Sequence, residues 1–228
     1  MPKPPAQRSS SRDIDRFLEK SKNITEFVAR NPRLLFAMDA TASRQPTWDS
    51  ASHVQQEMFR ATGKVASLSV QLAYYRGFHG FFVSPWLTDS AQLSRLMGGV
   101  RCEGGHTQIA RLLRHAQSEH RKQPVRAAVF VGDAVEENPD TLCDLAGQCG
   151  LLKLPLFVFQ EGNERLVETT FRTMAKLSNG AYARFDSSSA SALAALLGAV
   201  AKYASGGRAA LENSTGDSAR LLLKQLKP

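Results

Sequence analysis

The stretch LLFAMDATASRQPTWD, residues 34 to 49, passes from an apolar run to an aspartate and then to two hydroxyl residues at alternate positions. The apolar run predicts a buried strand that ends near Asp39. A single aspartate after a strand often only forms a turn, because its side chain bonds the backbone two residues later. Thr41 and Ser43 indicate more than a turn, since alternate residues of an extended segment point the same way.

Strands and helices alternate along the rest of the chain. Strand patterns cover residues 33–40, 66–75, 81–84, 125–132, 154–160 and 181–185, and helical patterns cover 47–62, 88–98, 107–121, 139–149, 164–178 and 189–204. This alternation predicts an α/β fold, a Rossmann-like three-layer sandwich with a mostly parallel six-stranded sheet and helices on both faces. Residues 76 to 80 are too few for a crossover helix, so the third strand should pair antiparallel with the second, at an edge.

The pattern divides the chain into a central domain and two terminal segments. The domain is predicted to span residues 33–204, a length that suits one hydrophobic core. Residues 1–32 form an N-terminal tail with an amphipathic helix, whose apolar stripe consists of Ile14, Phe17, Leu18, Ile24, Phe27 and Val28. Residues 205–228 are predicted to be a flexible C-terminal tail, whose end is either a short docking helix or unstructured.

Composition narrows the cellular setting. The three cysteines lack the C-x-x-C spacing of zinc and redox sites, which argues against a disulfide framework and favours a reducing, cytoplasmic location. The N-terminus lacks the apolar core of a signal peptide. The longest apolar run, at about residues 192–201, is too short to cross a bilayer, so no membrane span is expected.

The net charge of +8 does not by itself indicate a nucleic-acid partner. Residues 1–32 carry a net charge of +3 and residues 203–228 carry +2, so only +3 remains on the body between them. No basic cluster interleaved with aromatic residues appears, and we therefore expect no nucleic-acid binding.

Three polar segments should meet at the carboxyl edge of the predicted sheet, where ligands of open α/β folds bind. They are the Asp39, Thr41 and Ser43 loop, the turn from Gly104 to Thr107, and Asp133 at the end of the fourth strand. Two carboxylates and three hydroxyls suit a small hard cation, Mg²⁺ or Mn²⁺, whereas softer metals prefer His or Cys. His106 stands alone and is expected to be a loop-packing residue.

These motifs resemble the metal-ion-dependent adhesion site (MIDAS) of von Willebrand factor type A (VWA) domains, of the bacterial intracellular type. The similarity rests on the spacing D-x-[S/T]-x-S, a Gly-Gly-x-Thr turn before a helix and an aspartate closing the next hydrophobic strand, and it covers about residues 33–203. It implies that the metal ligands are Asp39, Thr41 and Ser43 in the first loop, Thr107 in the second and Asp133 in the third. Thr41 replaces a more frequent serine, and Ala134 replaces a frequent glycine.

The resemblance also implies a function. The bound metal would accept a Glu or Asp carboxylate from a protein partner, among which chaperone-like or ring ATPase components are typical, and the protein would not be an enzyme. Arg44 and Arg101, if they lie on the rim of the site, would attract an acidic partner surface.

Two alternatives stay open at the level of the sequence. Haloacid dehalogenase-like phosphotransferases also place an aspartate after the first strand, so Asp39 could be a nucleophile. Those enzymes usually need a second aspartate where this chain has Thr41, together with a downstream lysine and acidic pair that are not evident. The other alternative is a metal-free interaction scaffold.

Overall fold

The structure, a computed structural model, describes residues 31–51, 68–186 and 190–227. Its six strands are β1 (Arg33–Asp39), β2 (Ser69–Arg76), β3 (Gly80–Val83), β4 (Ala127–Gly132), β5 (Leu156–Glu161) and β6 (Ala181–Phe185). The described helices are α1 (Gln45–Ala51), α2 (Ser90–Gly98), α3 (Ile109–Lys122), α4 (Pro139–Leu151), α5 (Arg165–Leu177), α6 (Ala190–Glu212) and α7 (Asp217–Leu223). A short 3₁₀ turn, Ala42–Arg44, connects β1 to α1.

The six strands form one sheet in the order β3-β2-β1-β4-β5-β6. All neighbouring strands are parallel except β3, which pairs antiparallel with β2 at the edge. The predicted mixed sheet and its antiparallel edge strand are therefore confirmed. Strand order reverses between β1 and β4, which makes their carboxyl ends the topological switch point of the fold.

Alternate residues of the central strands feed two separate hydrophobic cores, as the period of a strand requires. On one face, Phe36 and Met38 pack in a core that also contains residues of α1, α2, α6 and α7. On the other, Leu35 and Ala37 share a core with residues of α3, α4 and α5. Every residue of β1 is buried, because helices cover both faces of this strand.

The C-terminal segment contains the short docking helix that was one of its two expectations, whereas the joint before it, expected to be flexible, is helical. Helical structure continues through the expected joint to Glu212, with a kink at Gly207, whose positive φ of 66° suits glycine. Helix α7 then returns to the domain, and Ala219, Leu222 and Leu226 are buried in the first core. The Gly206-Gly207 pair thus marks a turn in a packed segment, because the apolar residues that follow cover part of the domain.

Several expectations fall on residues that the structure does not describe. The amphipathic helix in residues 1–32 lies almost wholly in this category, as does the larger part of the helix predicted for 47–62. The described helices include no segment that is both long and apolar enough to cross a membrane.

Candidate functional site

The two aspartates predicted at strand ends lie on adjacent strands, at the switch point of the sheet. Met38 of β1 pairs with Val131 of β4, so the residues that follow them leave the sheet side by side. A Cβ atom on Gly132 would lie 3.7 Å from the Cβ of Asp39. Asp39 and Asp133 therefore begin two loops that leave the same point of the sheet edge.

A direct hydrogen bond joins these two loops. The hydroxyl of Ser43 donates to Oδ2 of Asp133 over 2.7 Å, although the two residues are 90 positions apart. The 3₁₀ turn Ala42–Arg44 carries Ser43 toward β4. The structure thus brings together the first and third predicted ligand loops.

The carboxyl group of Asp39 is fully buried and held by its own loop. Oδ1 accepts a hydrogen bond from the backbone N–H of Thr41 at 2.6 Å, the Asx-type contact that an isolated aspartate would make. The backbone carbonyl of Asp39 accepts a hydrogen bond from the indole N–H of Trp48 at 2.7 Å. Both contacts fix the direction in which β1 ends.

Burial dominates the electrostatics of this carboxyl group. Desolvation raises the pKa of Asp39 to about 6, and the charge of Asp133 also raises it, against the lowering effects of Thr41 and Arg44. Burial also raises the pKa of Tyr75, the neighbour of Asp39 across β1 and β2, with the charge of Asp39 adding to the effect. The ionised form of Asp39 is therefore under-compensated by the protein alone.

The second predicted loop is tied to the third by reciprocal hydrogen bonds. The buried Thr107 donates its backbone N–H to a carboxylate oxygen of Glu136 at 2.8 Å, and its hydroxyl accepts the backbone N–H of Glu136 at 3.1 Å. Glu137 then accepts hydrogen bonds from the N–H groups of Ile109 and Ala110. The acidic pair after Asp133 thus caps α3, which begins at Ile109 and not at Thr107 as the pattern predicted.

The hairpin turn between β2 and β3 positions the second loop. A Cβ atom on Gly105 would lie 2.0 Å from the carbonyl oxygen of Gly77, so the two backbones touch at a place where only glycine fits. The N–H of Glu103 donates to the carbonyl of Ala40, which joins the same segment to the first loop. All three predicted loops are consequently in backbone or side-chain contact.

Two carboxylate oxygens in this cluster lack a partner. Oδ2 of Asp39 and Oδ1 of Asp133 are buried from solvent and accept no hydrogen bond of good geometry from the described residues; the hydroxyl of Tyr75, whose pKa is raised by burial and in part by its interaction with Asp39, is buried without a partner as well. Buried polar atoms are almost always satisfied, so two such atoms on neighbouring carboxylates indicate a missing positively charged or donating group. A hard cation fits this donor set, because the unpaired atoms are carboxylate oxygens and the hydroxyl of Ser43 lies beside Asp133.

The described ranges contain no cluster of three or more His, Cys, Asp or Glu side chains placed to hold a metal ion. Any metal in this cluster would therefore depend on the hydroxyls of Thr41, Ser43 and Thr107 as well as on the two aspartates. His106 is not a candidate ligand in this structure. Its Nδ1 lies 3.4 Å from Oε2 of Glu136, and its ring contacts that of Phe78 edge-on.

Arg44 does not lie on the rim, as the sequence suggested it could. Its side chain is completely buried and pairs through Nη1 with Oε2 of Glu161, at the end of β5. Arg101, in contrast, is exposed, in the loop that leads to Glu103. The rim expectation is therefore wrong for Arg44, because its guanidinium finds a carboxylate inside the protein.

Glu161 is a functional candidate that the sequence motifs did not include. It continues the row of strand-end acids, since Gly132 pairs with Gln160 and so Asp133 and Glu161 leave the sheet together. Its Oε2 also accepts the hydroxyl of Thr47 at 2.5 Å. The sequence pattern could have indicated this residue, because Glu161 is an acidic residue at the end of an apolar strand, as Asp39 and Asp133 are. Beside it, a cleft of about 600 Å³ opens between Asp133, Arg184 and Phe185.

Comparison with known proteins gives a consistent picture of the fold. No family model matches the sequence, and no curated protein matches it. Among solved structures, the VWA domain of SpRpn10 aligns with a TM-score of 0.55 at 12% identity, over 68% of this chain and 87% of that domain. The vWF domain of the pilus tip protein Mfa5 from Porphyromonas gingivalis gives 0.58 at 9% identity, over 75% and 93%.

A third structure, proximal thread matrix protein 1 from the mussel byssus with a zinc-occupied MIDAS motif, aligns with a TM-score of 0.56 at 11% identity. The alignment covers 74% of this chain and 45% of that protein. At such identities the likeness concerns the fold. The sheet, with its strand order and antiparallel edge strand, aligns with the sheets of these structures. The protein therefore has the fold of von Willebrand factor type A domains.

Proposed function

We propose that this protein is a divalent-metal-dependent protein-binding module, in which bound Mg²⁺ or Mn²⁺ accepts an acidic side chain from a partner protein. The observation that carries the proposal is the pair of buried, unpartnered oxygens, Oδ2 of Asp39 and Oδ1 of Asp133. The zinc-occupied motif in a protein of the same fold adds support for metal binding at this place.

The residues that would hold the metal are Asp39, Thr41, Ser43, Thr107 and Asp133. Asp39 would contribute a desolvated carboxylate, and Asp133 a second one already oriented by Ser43. Thr107 would sit at a fixed position because its backbone and hydroxyl are both bonded to Glu136. The metal would supply an electrophilic site, and a ligand set with only two carboxylates leaves it free to prefer an anionic oxygen over water.

The surroundings suit a protein partner. Phe78, in the hairpin turn beside the second loop, is 63% exposed and offers an apolar contact. Arg101 and Arg76 provide positive charge near the same loops, which would speed association with an acidic surface and make the rate fall with salt. The partner would therefore present an acidic residue within a mixed apolar and acidic surface, and a chaperone-like or ATPase component is the proposed class of partner.

The phosphotransferase alternative has less support. A nucleophilic aspartate must reach its substrate, whereas Asp39 has no exposed surface and its Oδ1 is engaged by Thr41. We therefore propose a binding protein and not an enzyme. The proposed location is the cytoplasm, on the basis of the cysteine content.

The first test is a metal titration of chelator-stripped protein. We expect Mn²⁺, followed by the paramagnetic signal of the free ion, to bind with a dissociation constant of about 1 µM to 1 mM, and Mg²⁺ to compete with it. Asp133→Asn should abolish binding because it removes one of the two charges. Asp140→Asn, at an exposed position in α4, is the matched control and should bind as the wild type does. If wild-type protein binds neither ion, the metal-dependent function is refuted and the alternative of a metal-free interaction scaffold is supported.

The second test identifies the kind of ligand the site accepts. Random peptides displayed on phage and selected on immobilised protein with Mn²⁺ should be enriched in sequences with Asp or Glu, since the open coordination position favours an anionic oxygen. Chelator should release them, and replacing the shared acid by Asn or Gln should remove capture. Peptides that bind equally well with chelator, or to Asp133→Asn protein, would contradict metal-mediated recognition.

A further inference from the structure

The buried side chain of Arg44 belongs to the residue that follows the predicted metal ligand Ser43, and it contacts Glu161 at the same edge of the sheet. Arginine is rarely buried completely, and its guanidinium stays protonated in proteins. Here its exposure is 0%, and Nε and Nη2 donate to no acceptor among the described residues. Nη1 contacts a charged partner, the carboxylate of Glu161. A permanent cation has thus been placed where the fold also collects carboxylates.

The electrostatic environment of Arg44 connects it to the proposed ligands. Burial lowers the pKa of Arg44, and the carboxylates of Asp133 and then Asp39 oppose this effect and raise it. The three acids and the arginine together carry a formal charge of −2, which one divalent ion would neutralise. Without the arginine the formal charge would be −3, and three carboxylates would repel one another at a single sheet edge.

We propose that Arg44 is a built-in cation that holds the carboxylates together in the metal-free protein and lowers the affinity of the site for a divalent ion. The inference rests on the proposed function, because it concerns the same oxygens. Its physical basis is that a fixed positive charge attracts Asp39 and Asp133 in the same way as a metal does, and repels a second cation that approaches them. The domain would then fold without metal and bind it reversibly.

The proposal predicts an order of affinities. Arg44→Met, which removes the positive charge but keeps a long side chain, should bind Mn²⁺ about tenfold more tightly than wild type. Glu161→Gln, which removes the carboxylate paired with Arg44, should bind about tenfold more weakly, because the guanidinium then acts on the metal uncompensated. Arg44→Lys retains a protonatable side chain and is the control, with an affinity closer to that of wild type than to that of Arg44→Met.

The melting temperature of chelator-treated protein is the second readout. Arg44→Met should melt at a lower temperature than wild type without metal, and saturating Mn²⁺ should raise its melting temperature by more than it raises that of wild type. Circular dichroism establishes that each variant is folded. If Arg44→Met does not fold, Arg44→Gln, which also removes the positive charge but keeps an N–H donor for Glu161, replaces it in the comparison with wild type.

The outcomes separate this inference from the proposed function. Wild type that binds Mn²⁺, with Arg44→Met unchanged or weaker, overturns the role of Arg44 and leaves the binding module standing. Wild type that does not bind, with Arg44→Met that does, supports the role of Arg44 and refutes metal dependence of the natural protein. Absence of binding in both folded proteins overturns both proposals, and the order Arg44→Met, wild type, Glu161→Gln supports both.

Discussion

Asp39→Asn protein is expected to lose divalent metal binding and yet to be more stable than wild type in metal-free buffer at neutral pH. The buried carboxyl group has a pKa raised to about 6, chiefly by desolvation, so its charged form is unfavourable in the folded state. Asparagine keeps the shape and the acceptor for the Thr41 N–H but carries no charge. The shift from 3.8 to about 6 corresponds to a gain of at most about 3 kcal/mol.

The sign of the pH dependence follows from the raised pKa. The folded protein holds the Asp39 proton more tightly than the unfolded chain, so the contribution of this group to stability is full below about pH 4. It falls as pH rises to about 6 and is constant above that. The stability difference between Asp39→Asn and wild type should therefore open between pH 4 and 6 and disappear below pH 4.

Thermal melts of chelator-treated proteins from pH 4 to 8 measure this difference. Asp217→Asn, at a side chain that is 98% exposed, is the control and should follow wild type at every pH. With Mn²⁺ present, wild-type affinity should weaken below about pH 6, because protons compete for the Asp39 carboxylate. An Asp39→Asn protein that still binds Mn²⁺ would remove Asp39 from the site, and one destabilised at pH 8 would show that its charge is well compensated.

Trp48→Ala should destabilise the domain by about 3–5 kcal/mol, the range for deleting a buried aromatic side chain. Trp48 is 1% exposed, and its ring meets that of Tyr74 edge-on at a centroid distance of 5.4 Å. Its indole N–H also holds the carbonyl of Asp39, so the loss would reach the candidate site. Chemical denaturation monitored by far-ultraviolet circular dichroism gives the free energy of unfolding.

Two further substitutions separate packing from hydrogen bonding. Trp48→Phe keeps most of the ring but leaves the Asp39 carbonyl without this donor, and should cost about 1–3 kcal/mol. Phe78→Ala removes an aromatic ring that is 63% exposed and should leave stability almost unchanged. If Trp48→Ala cost no more than Phe78→Ala, the packing of α1 against the sheet would have to be revised.

The layout of the sheet was accessible from the sequence because period and loop length are local properties. The buried strand β1 follows from the apolar run before Asp39, and the short connection from 76 to 80 dictates the antiparallel edge pair. Strand and helix ends were displaced by a few residues, as with α3, whose start depends on the capping contacts of Glu137. Glu137 is distant in sequence from the start of α3, so the local pattern around Thr107 does not predict these contacts.

The candidate site divides in the same way. The spacing of Asp39, Thr41 and Ser43, with Asp133 at another strand end, predicted a group of oxygen ligands from the sequence. The fold places these residues in neighbouring loops. The metal itself and its ligands remain predictions that the titrations above address.

The sequence by itself determined the alternation of strands and helices, the antiparallel edge strand, and the oxygen-bearing residues at the carboxyl ends of strands. Only the tertiary structure decided that Arg44 is buried and that Glu161 belongs to the same cluster. The physical reason is the cost of burying a charge: by pattern alone a charged residue is assigned to the surface, and its burial becomes acceptable only when a distant residue supplies the opposite charge. Glu161 is 117 positions from Arg44, and the parallel pairing of β4 with β5 brings its strand end to the site.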